Sequence, residues 1–209
     1  MNALLFGATG MIGSRILNEL VSRGHHVIAA ARDTTKVPER ANVKTVDANI
    51  LHPHEVATAA HGVDAIISAF NAGMEHPEVL VTATKSLIGA AKAAHIKRLL
   101  TISGTGALFS RPGVRMVDEP DFSEYWRPVA RAHSDALDEL MASGLEWTAI
   151  SPPPLIQPGR RTGRYRLGTD YIVEDAHGNA HISAEDFAVA MVDELEKPEH
   201  IGKRFTVGY

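Results

Sequence analysis

The chain contains no cysteine. Disulfide staples, cysteine-ligated zinc and a thiolate nucleophile are therefore excluded. It has no apolar run approaching the ~18 residues that span a bilayer, so no membrane partner is expected. It also lacks an excess of one charge: 21 basic against 25 acidic residues leave a formal charge of −4, with both signs interspersed, and no nucleic-acid partner is expected. Aromatic residues are few, at 6%, so the core must be mainly aliphatic. The opening residues Met1 to Gly10 lack a basic leader followed by a small-residue cleavage site. They read as a strand rather than a signal peptide, and a cytoplasmic location is the expectation. Repeats, low-complexity tracts and linkers are also missing.

What is present is ordinary globular usage, 44% hydrophobic and 22% charged. A chain of 209 residues defaults to one domain and buries roughly 70% of its unfolded surface without a metal or disulfide. Along it, short continuous apolar runs alternate with amphipathic stretches. Strands are expected at Ala3 to Phe6, Val27 to Ala31, Val43 to Val46, Ala65 to Ala69, Arg98 to Ile102 and Glu146 to Ile150. Helices are expected at Met11 to Arg23, Glu55 to Ala60, Pro77 to Ala94 and Val129 to Ser143. Gly24 and Gly144 follow two of them, where a helix C-terminus favours glycine. Alternation of this kind predicts an α/β fold, a parallel sheet with helices on both faces. Residues 104–128 read as irregular, and Pro152, Pro153 and Pro154 end ladder pairing. Beyond them a hairpin is expected, Tyr165 to Val173 against Ala180 to Ile182, turning at His177-Gly178-Asn179. Ser183 then caps a last helix, and Arg204 to Val207 closes as a strand. Residues 152–185 form a small substrate lobe in this reading of a single domain, 1–209.

Gly7-Ala8-Thr9-Gly10-Met11-Ile12-Gly13 is a glycine-rich turn set between the first strand and first helix. Gly7 permits the tight turn, Gly10 lets backbone approach a pyrophosphate, and Gly13 lets the helix lie close to the sheet. Amides at the helix N-terminus, aided by its dipole, would face the phosphates. Strand, turn and helix together make this a dinucleotide site of a Rossmann-type doubly wound fold. At the end of the second strand, Arg32 suits the 2′-phosphate of NADP(H), with Lys36 near in sequence. Asp33 offers the opposite reading, a ribose diol and NAD(H), or it caps the following turn. Asp47 is placed either at the adenine edge or in a turn. Ala69 leaves room for the cofactor ribose, and Phe70 belongs either to that wall or to the core.

The segments GATGMIGS (7–14), HHVIAAARD (25–33), Val63-Asp64-Ala65-Ile66-Ile67-Ser68-Ala69-Phe70 and ISAEDFAVAMVDELEKPEH (182–200) resemble the atypical short-chain dehydrogenase/reductases. Within them the similarity is to the NAD(P)H-flavin reductase group related to biliverdin-IXβ/flavin reductase, over essentially the whole chain. The resemblance implies a monomer or weak homodimer that reduces a small-molecule acceptor, FMN or another flavin, a quinone or similar, with a reduced nicotinamide. It also implies that Pro152 and Pro153 lead from the sheet to the nicotinamide end. His133 matches a pocket histidine of that family, whereas the second pocket histidine corresponds here to Pro154.

Alcohol–ketone chemistry in common short-chain dehydrogenases needs Tyr and Lys four residues apart on a helix, the lysine lowering the phenol pKa. Four residues beyond Tyr125, Tyr165 and Tyr171 stand Val129, Thr169 and Asp175, and Tyr209 is terminal. Hydride transfer to an electron-poor flavin or quinone asks less, chiefly positioning and exclusion of water. His133 is the candidate proton donor, with a pocket-wall role as the alternative. Ser103, at the carboxyl end of the fifth strand, is the candidate contact to nicotinamide or substrate, or else a turn residue. The missing Tyr–Lys pair also leaves room for an NADP(H)-binding redox sensor without turnover. His52, His54, His177 and His181 lack the carboxylate and third-ligand spacing of a metal site, so no metal is expected. Arg160, Arg161, Arg164 and Arg166 form either a phosphate-facing rim or a solvated face. Trp147 reads as core and Trp126 as a lid aromatic.

Overall fold

The computed structural model describes residues 1–209. Its frame is a parallel sheet in which β1 (Asn2–Phe6) pairs with β2 (His26–Ala31) on one side and β4 (Ala65–Ser68) on the other. β3 (Val43–Asp47) flanks β2, while β5 (Arg98–Ile102), β8 (Glu146–Ser151) and β12 (Lys203–Gly208) extend the sheet beyond β4. The chain therefore winds outward in both directions from β1 and β4. That reversal opens a crevice at the carboxyl ends of the strands.

Side chains alternate between two cores, as the period of a strand requires. Ala3 and Leu5 of β1 join Ile67, Leu100 and Ile150 on one face; Leu4 and Phe6 join Ile66, Leu99 and Trp147 on the other. Helices α1 (Met11–Ser22) and α5 (Ala184–Glu196) cover the first face. Helices α2 (Pro53–Ala59), α3 (Val79–Ala93) and α4 (Arg127–Met141) cover the second. No helix is long and apolar enough to cross a membrane. Trp147 is buried, as expected for a core residue.

Helix α4 starts two residues before the expected Val129, because Pro128 sits in its first turn. Proline is tolerated there, since no intrahelical acceptor awaits its missing N–H. The irregular stretch after Ser103 contains a small hairpin, β6 (Phe109–Arg111) with β7 (Val114–Arg115), turning at Gly113 with φ +76°. Arg204 pins this stretch: its guanidinium donates to the Ala107 carbonyl and to Asp170 (2.6 Å), and lies 5.0 Å from the Phe109 ring centre.

The hairpin expected from Tyr165 to Ile182 is not formed, and this is a correction. β10 (Arg166–Gly168) runs antiparallel to β12 at the edge of the main sheet. β11 (His181–Ser183) pairs in parallel with β9 (Leu155–Gln157), immediately after the proline run. The turn itself is present, with Asp175 accepting from the amides of His177 (2.8 Å) and Asn179 (2.9 Å) and Gly178 at φ +80°. A turn fixes reversal of direction. Which ladder each arm joins was settled by two free edges, β12 and β9, that local sequence does not reveal. The first turn of α5 then anchors residues 159–163: Glu185 accepts from Gly159 N–H (2.7 Å), and Asp186 from Thr162 and Gly163 N–H (2.8 Å each). Ser183 caps the helix, its Oγ accepting from Asp186 N–H at 3.0 Å.

The tightest packing lies where β1, α1 and the end of β4 meet. Gly7 has φ +82°, and a Cβ there would fall 2.5 Å from the Ala69 carbonyl oxygen. A Cβ on Gly13 would fall 1.9 Å from the Gly7 carbonyl oxygen. Gly10 differs: its φ is −77°, and a Cβ would make an ordinary 3.4 Å contact. Gly13→Ala is accordingly expected to lower unfolding free energy in urea by about 1–3 kcal/mol, the usual cost of overpacking. Gly10→Ala, losing a tolerated helix cap, should cost under about 1 kcal/mol.

Candidate functional site

The crevice above β1 and β4 divides into two connected hollows that share Phe70 and Asn71. The outer hollow, about 380 Å³, is bounded by Gly7, Thr9, Arg32, Asn49 and Leu51. The inner one, about 620 Å³, lies over the carboxyl ends of β4, β5 and β8. Between them stands the N-terminus of α1. Its cap residue Gly10 contributes no side-chain hydrogen bond, and no carboxylate lies in the first turn. The first amides of a helix have no intrahelical acceptor, so this end offers N–H donors and a positive dipole end to an anion.

The fit to a dinucleotide rests on the glycines. Gly7 and Gly13 are required by the protein's own packing, but Gly10 is not, and Gly10 lines the inner hollow. The smallest residue at that point leaves backbone bare and open to an anion. Met11 and Ile12 line the same hollow, and Thr9 the outer one. Ala8 does not: its side chain is buried in the core beneath α1.

Arg32 follows β2, exposed at the outer hollow, and its guanidinium has no carboxylate partner. Asp33 is already engaged, accepting from Thr35 N–H (3.2 Å) and Thr35 Oγ1 (2.6 Å), with Lys36 Nζ 3.3 Å away. Side-chain hydrogen bonding from Thr35, then Lys36, holds its pKa below the usual carboxylate value. Asp33 thus acts as a cap for the turn, and Lys36 is drawn towards it. Asp47 is the last ladder residue of β3 and exposed, and the next residues, Ala48 and Asn49, line the hollow. Phe70 serves both expected roles, packing against the core and walling both hollows.

The proline run supplies alternate residues to the inner hollow. Pro152 and Pro154 line it; Pro153 between them is buried and outside the lining, in keeping with the two-residue period of extended chain. Pro154 stands where the resemblance places a second histidine, and it brings no proton-carrying group. Ile156 of β9 closes that side.

Ser103 and His133 reach the inner hollow from β5 and α4. The Ser103 side chain is buried and its Oγ has no hydrogen-bond partner in the chain. A hydroxyl in that state is expected to find one in a ligand or solvent. Its backbone N–H is occupied by the Ile150 carbonyl (2.9 Å). The His133 ring rests against Gly104, where a Cβ would come within 2.8 Å of His133 Cβ. Burial without a carboxylate partner pushes the His133 imidazole down to about 4. At neutral pH it is an uncharged ring with one N–H to donate, not an imidazolium acid.

The facing wall comes from the segment before α4. Met116, Phe122 and Trp126 line the inner hollow, and Tyr125 packs edge-on to Trp126 at 5.0 Å between ring centres. Arg127 organises this wall by donating to the carbonyls of Val117 (2.7 Å) and Phe122 (2.8 Å). Trp126 was expected from the sequence as a lid aromatic beside Tyr125, whereas nothing in the sequence singled out Met116 or Phe122. The tyrosines offer no replacement for a Tyr–Lys pair. Tyr209 donates to Asp186 (2.7 Å), Tyr165 to Asp193, and Tyr125 and Tyr171 are exposed outside the lining. The four arginines of residues 160–166 are also absent from the lining of both hollows. Arg161 pairs with Glu19 (2.7 Å) and Arg166 bonds the carbonyls of Glu174 and Tyr209. Arg160 faces a separate hollow on the far side of β9, beside Leu155, Gln157 and His181.

Comparison with known proteins agrees with this geometry. The model of a family described as NAD(P)H-binding matches residues 7–198. The uncharacterised protein YwnB of Bacillus subtilis is 36% identical, covering 97% of this chain and 96% of its own. A solved structure from Burkholderia pseudomallei, described as a candidate exported protein, is 40% identical with a TM-score of 0.92, each chain covered completely. Another, described as a candidate NADH-flavin reductase from Streptococcus pneumoniae, is 30% identical with a TM-score of 0.90, covering 100% of this chain and 99% of that one.

The buried histidine gives a pH signature. Its native pKa, near 4, lies below the ordinary value of ~6.5, so the unfolded chain binds the proton more readily between those limits. Stability from this group is complete above ~6.5 and is lost as pH falls towards 4, by about 3 kcal/mol. Urea unfolding should therefore show wild type losing more stability between pH 7 and 4.5 than His133→Asn. Equal losses would place the proton uptake elsewhere.

Proposed function

This chain belongs to the NAD(P)H-binding family and to its atypical short-chain dehydrogenase/reductase group, and from that premise we propose an NADPH-dependent reductase of flavins, quinones or similar electron-poor acceptors. One observation carries most of the weight: Gly10 is bare at the mouth of the crevice although the protein's own packing does not require glycine there. The residues present fit a dinucleotide, with the α1 amides for its diphosphate, Arg32 for the 2′-phosphate and Ser103 for the nicotinamide end. Asp33, already spent on Thr35, favours the phosphorylated form. When bound, the reduced dinucleotide supplies a hydride, and the acceptor takes its accompanying proton from solvent.

The chain's own part is to bind, orient and exclude water. Phe70, Met116 and Trp126 give the acceptor an apolar wall, which an occupying ring would shield from water and so strengthen each polar contact inside. Neutral His133 donates a hydrogen bond to an acceptor oxygen or nitrogen without bringing charge. Residues 152–156 complete the chamber, in keeping with a substrate lobe. A Tyr–Lys acid is lacking, which favours acceptors that need little help from a protein acid over ketones.

Two measurements test this reading. Reduced-nicotinamide absorbance should fall when riboflavin or a small quinone is offered with NADPH. Tight NADPH binding with no turnover on any such acceptor would favour a redox-sensing protein instead. For cofactor choice, Arg32→Ala should weaken NADPH binding about tenfold or more, the scale of a lost charge-assisted contact, with NADH almost unchanged. Equal losses for both would remove the 2′-phosphate from Arg32.

A further inference from the structure

The inner hollow is lined by 21 residues, and none carries a charge at neutral pH: His133 is its one titratable side chain, and burial keeps it neutral. Cations are plentiful on the neighbouring rim, residues 111–131, but each is already committed. Arg111 pairs with Glu119 (2.7 Å), Arg115 with Asp138 (3.0 Å), Arg127 with Glu124 (2.9 Å) and Arg131 with Asp118 (2.7 Å). Asp121 is the rim charge left without an ion-pair partner, and it is exposed next to Phe122 of the wall. Across the chamber, Arg160 lies behind β9 in a hollow of its own.

Resting on the reductase reading above, we infer that the acceptor is an uncharged flat ring, a quinone or an unphosphorylated flavin, and that this rim discriminates against acceptors carrying phosphate or sulfonate. An anion drawn into the chamber would leave water for an apolar wall with no counter-cation. An anion left outside, on a tail such as that of FMN, would meet Asp121 with every nearby guanidinium engaged. Either placement penalises the charge. Neither penalises the ring, which finds Phe70, Phe122, Met116 and Trp126 for packing. The inference names Asp121 as a specificity residue of the rim, acting on the approach of the acceptor rather than on the hydride step.

Riboflavin and FMN share one ring system and differ by the phosphate, so they form the decisive pair. With NADPH as donor, kcat/KM for riboflavin should exceed that for FMN about tenfold, equivalent to ~1.4 kcal/mol. 1,4-Naphthoquinone should similarly exceed its 2-sulfonate. Asp121→Lys should narrow the flavin gap about threefold, the scale of one exposed charge, with riboflavin kinetics unchanged. The same comparison is read without turnover by titrating either flavin into the NADP⁺-loaded protein and following Trp126 fluorescence. Tighter riboflavin binding supports the inference even if no acceptor is reduced, an outcome that would sink the reductase reading alone. Equal use or equal binding of the two flavins overturns it, as does failure of both to bind. A gap untouched by Asp121→Lys would overturn the role given to that carboxylate.

Discussion

The contact on which the site depends is the approach of α1 to the first turn of the sheet. With a Cβ on Gly13 falling 1.9 Å from the Gly7 carbonyl, and one on Gly7 falling 2.5 Å from the Ala69 carbonyl, three chain segments touch through backbone alone. That closeness brings the N-terminus of α1 over the point where strand order reverses, between β1 and β4. Any side chain at either glycine would push the helix outward and carry its amide donors away from the crevice. Gly10 is a different case. Its lack of a side chain serves the space above it, the place that the proposed function gives to the diphosphate.

Around that anchor the molecule separates its electrostatics from its chemistry. Ion pairs lie outside the chamber lining, as in Arg23 and Arg161 around Glu19 or Arg111 and Arg131 along the rim. The interior of the chamber holds uncharged groups: a hydroxyl without a partner at Ser103, an imidazole kept neutral by burial at His133, and hydrocarbon or aromatic walls. Such a chamber suits transfer of a hydride, which needs dry alignment more than an acid. It also explains why the absence of a Tyr–Lys pair leaves the site coherent.

The chamber walls are assembled by long-range ties. Arg204, from the last strand, holds the segment after β5, and Arg127 gathers carbonyls of residues 117–122. At the other side, the first turn of α5 gathers residues 159–163 through Glu185 and Asp186. These loops contain little regular secondary structure of their own. Their shape is imposed by charged side chains reaching back from rigid elements, which makes the walls more specific than a loop of that composition would suggest.

Legibility in the sequence followed the range of the interaction. The strands and helices of the first hundred residues, the glycine turn, the Ser183 cap and the turn at Gly178 were readable because each is governed by neighbours a few positions away. Arg32 and Asp33 were both visible as candidates, but their division of labour required seeing Asp33 bond Thr35. The pairing of β10 with β12 and of β11 with β9 was hidden, since a strand edge is created by the rest of the sheet. So were the exposure of Asp47, the burial of Pro153 and the share of Met116 and Phe122 in the wall around Trp126, which depend on the face a residue presents after the chain has packed. Periodicity and turn chemistry thus settled what the local elements are, whereas edges, faces and ion-pair partners, being relations between distant segments, were decided by the tertiary structure.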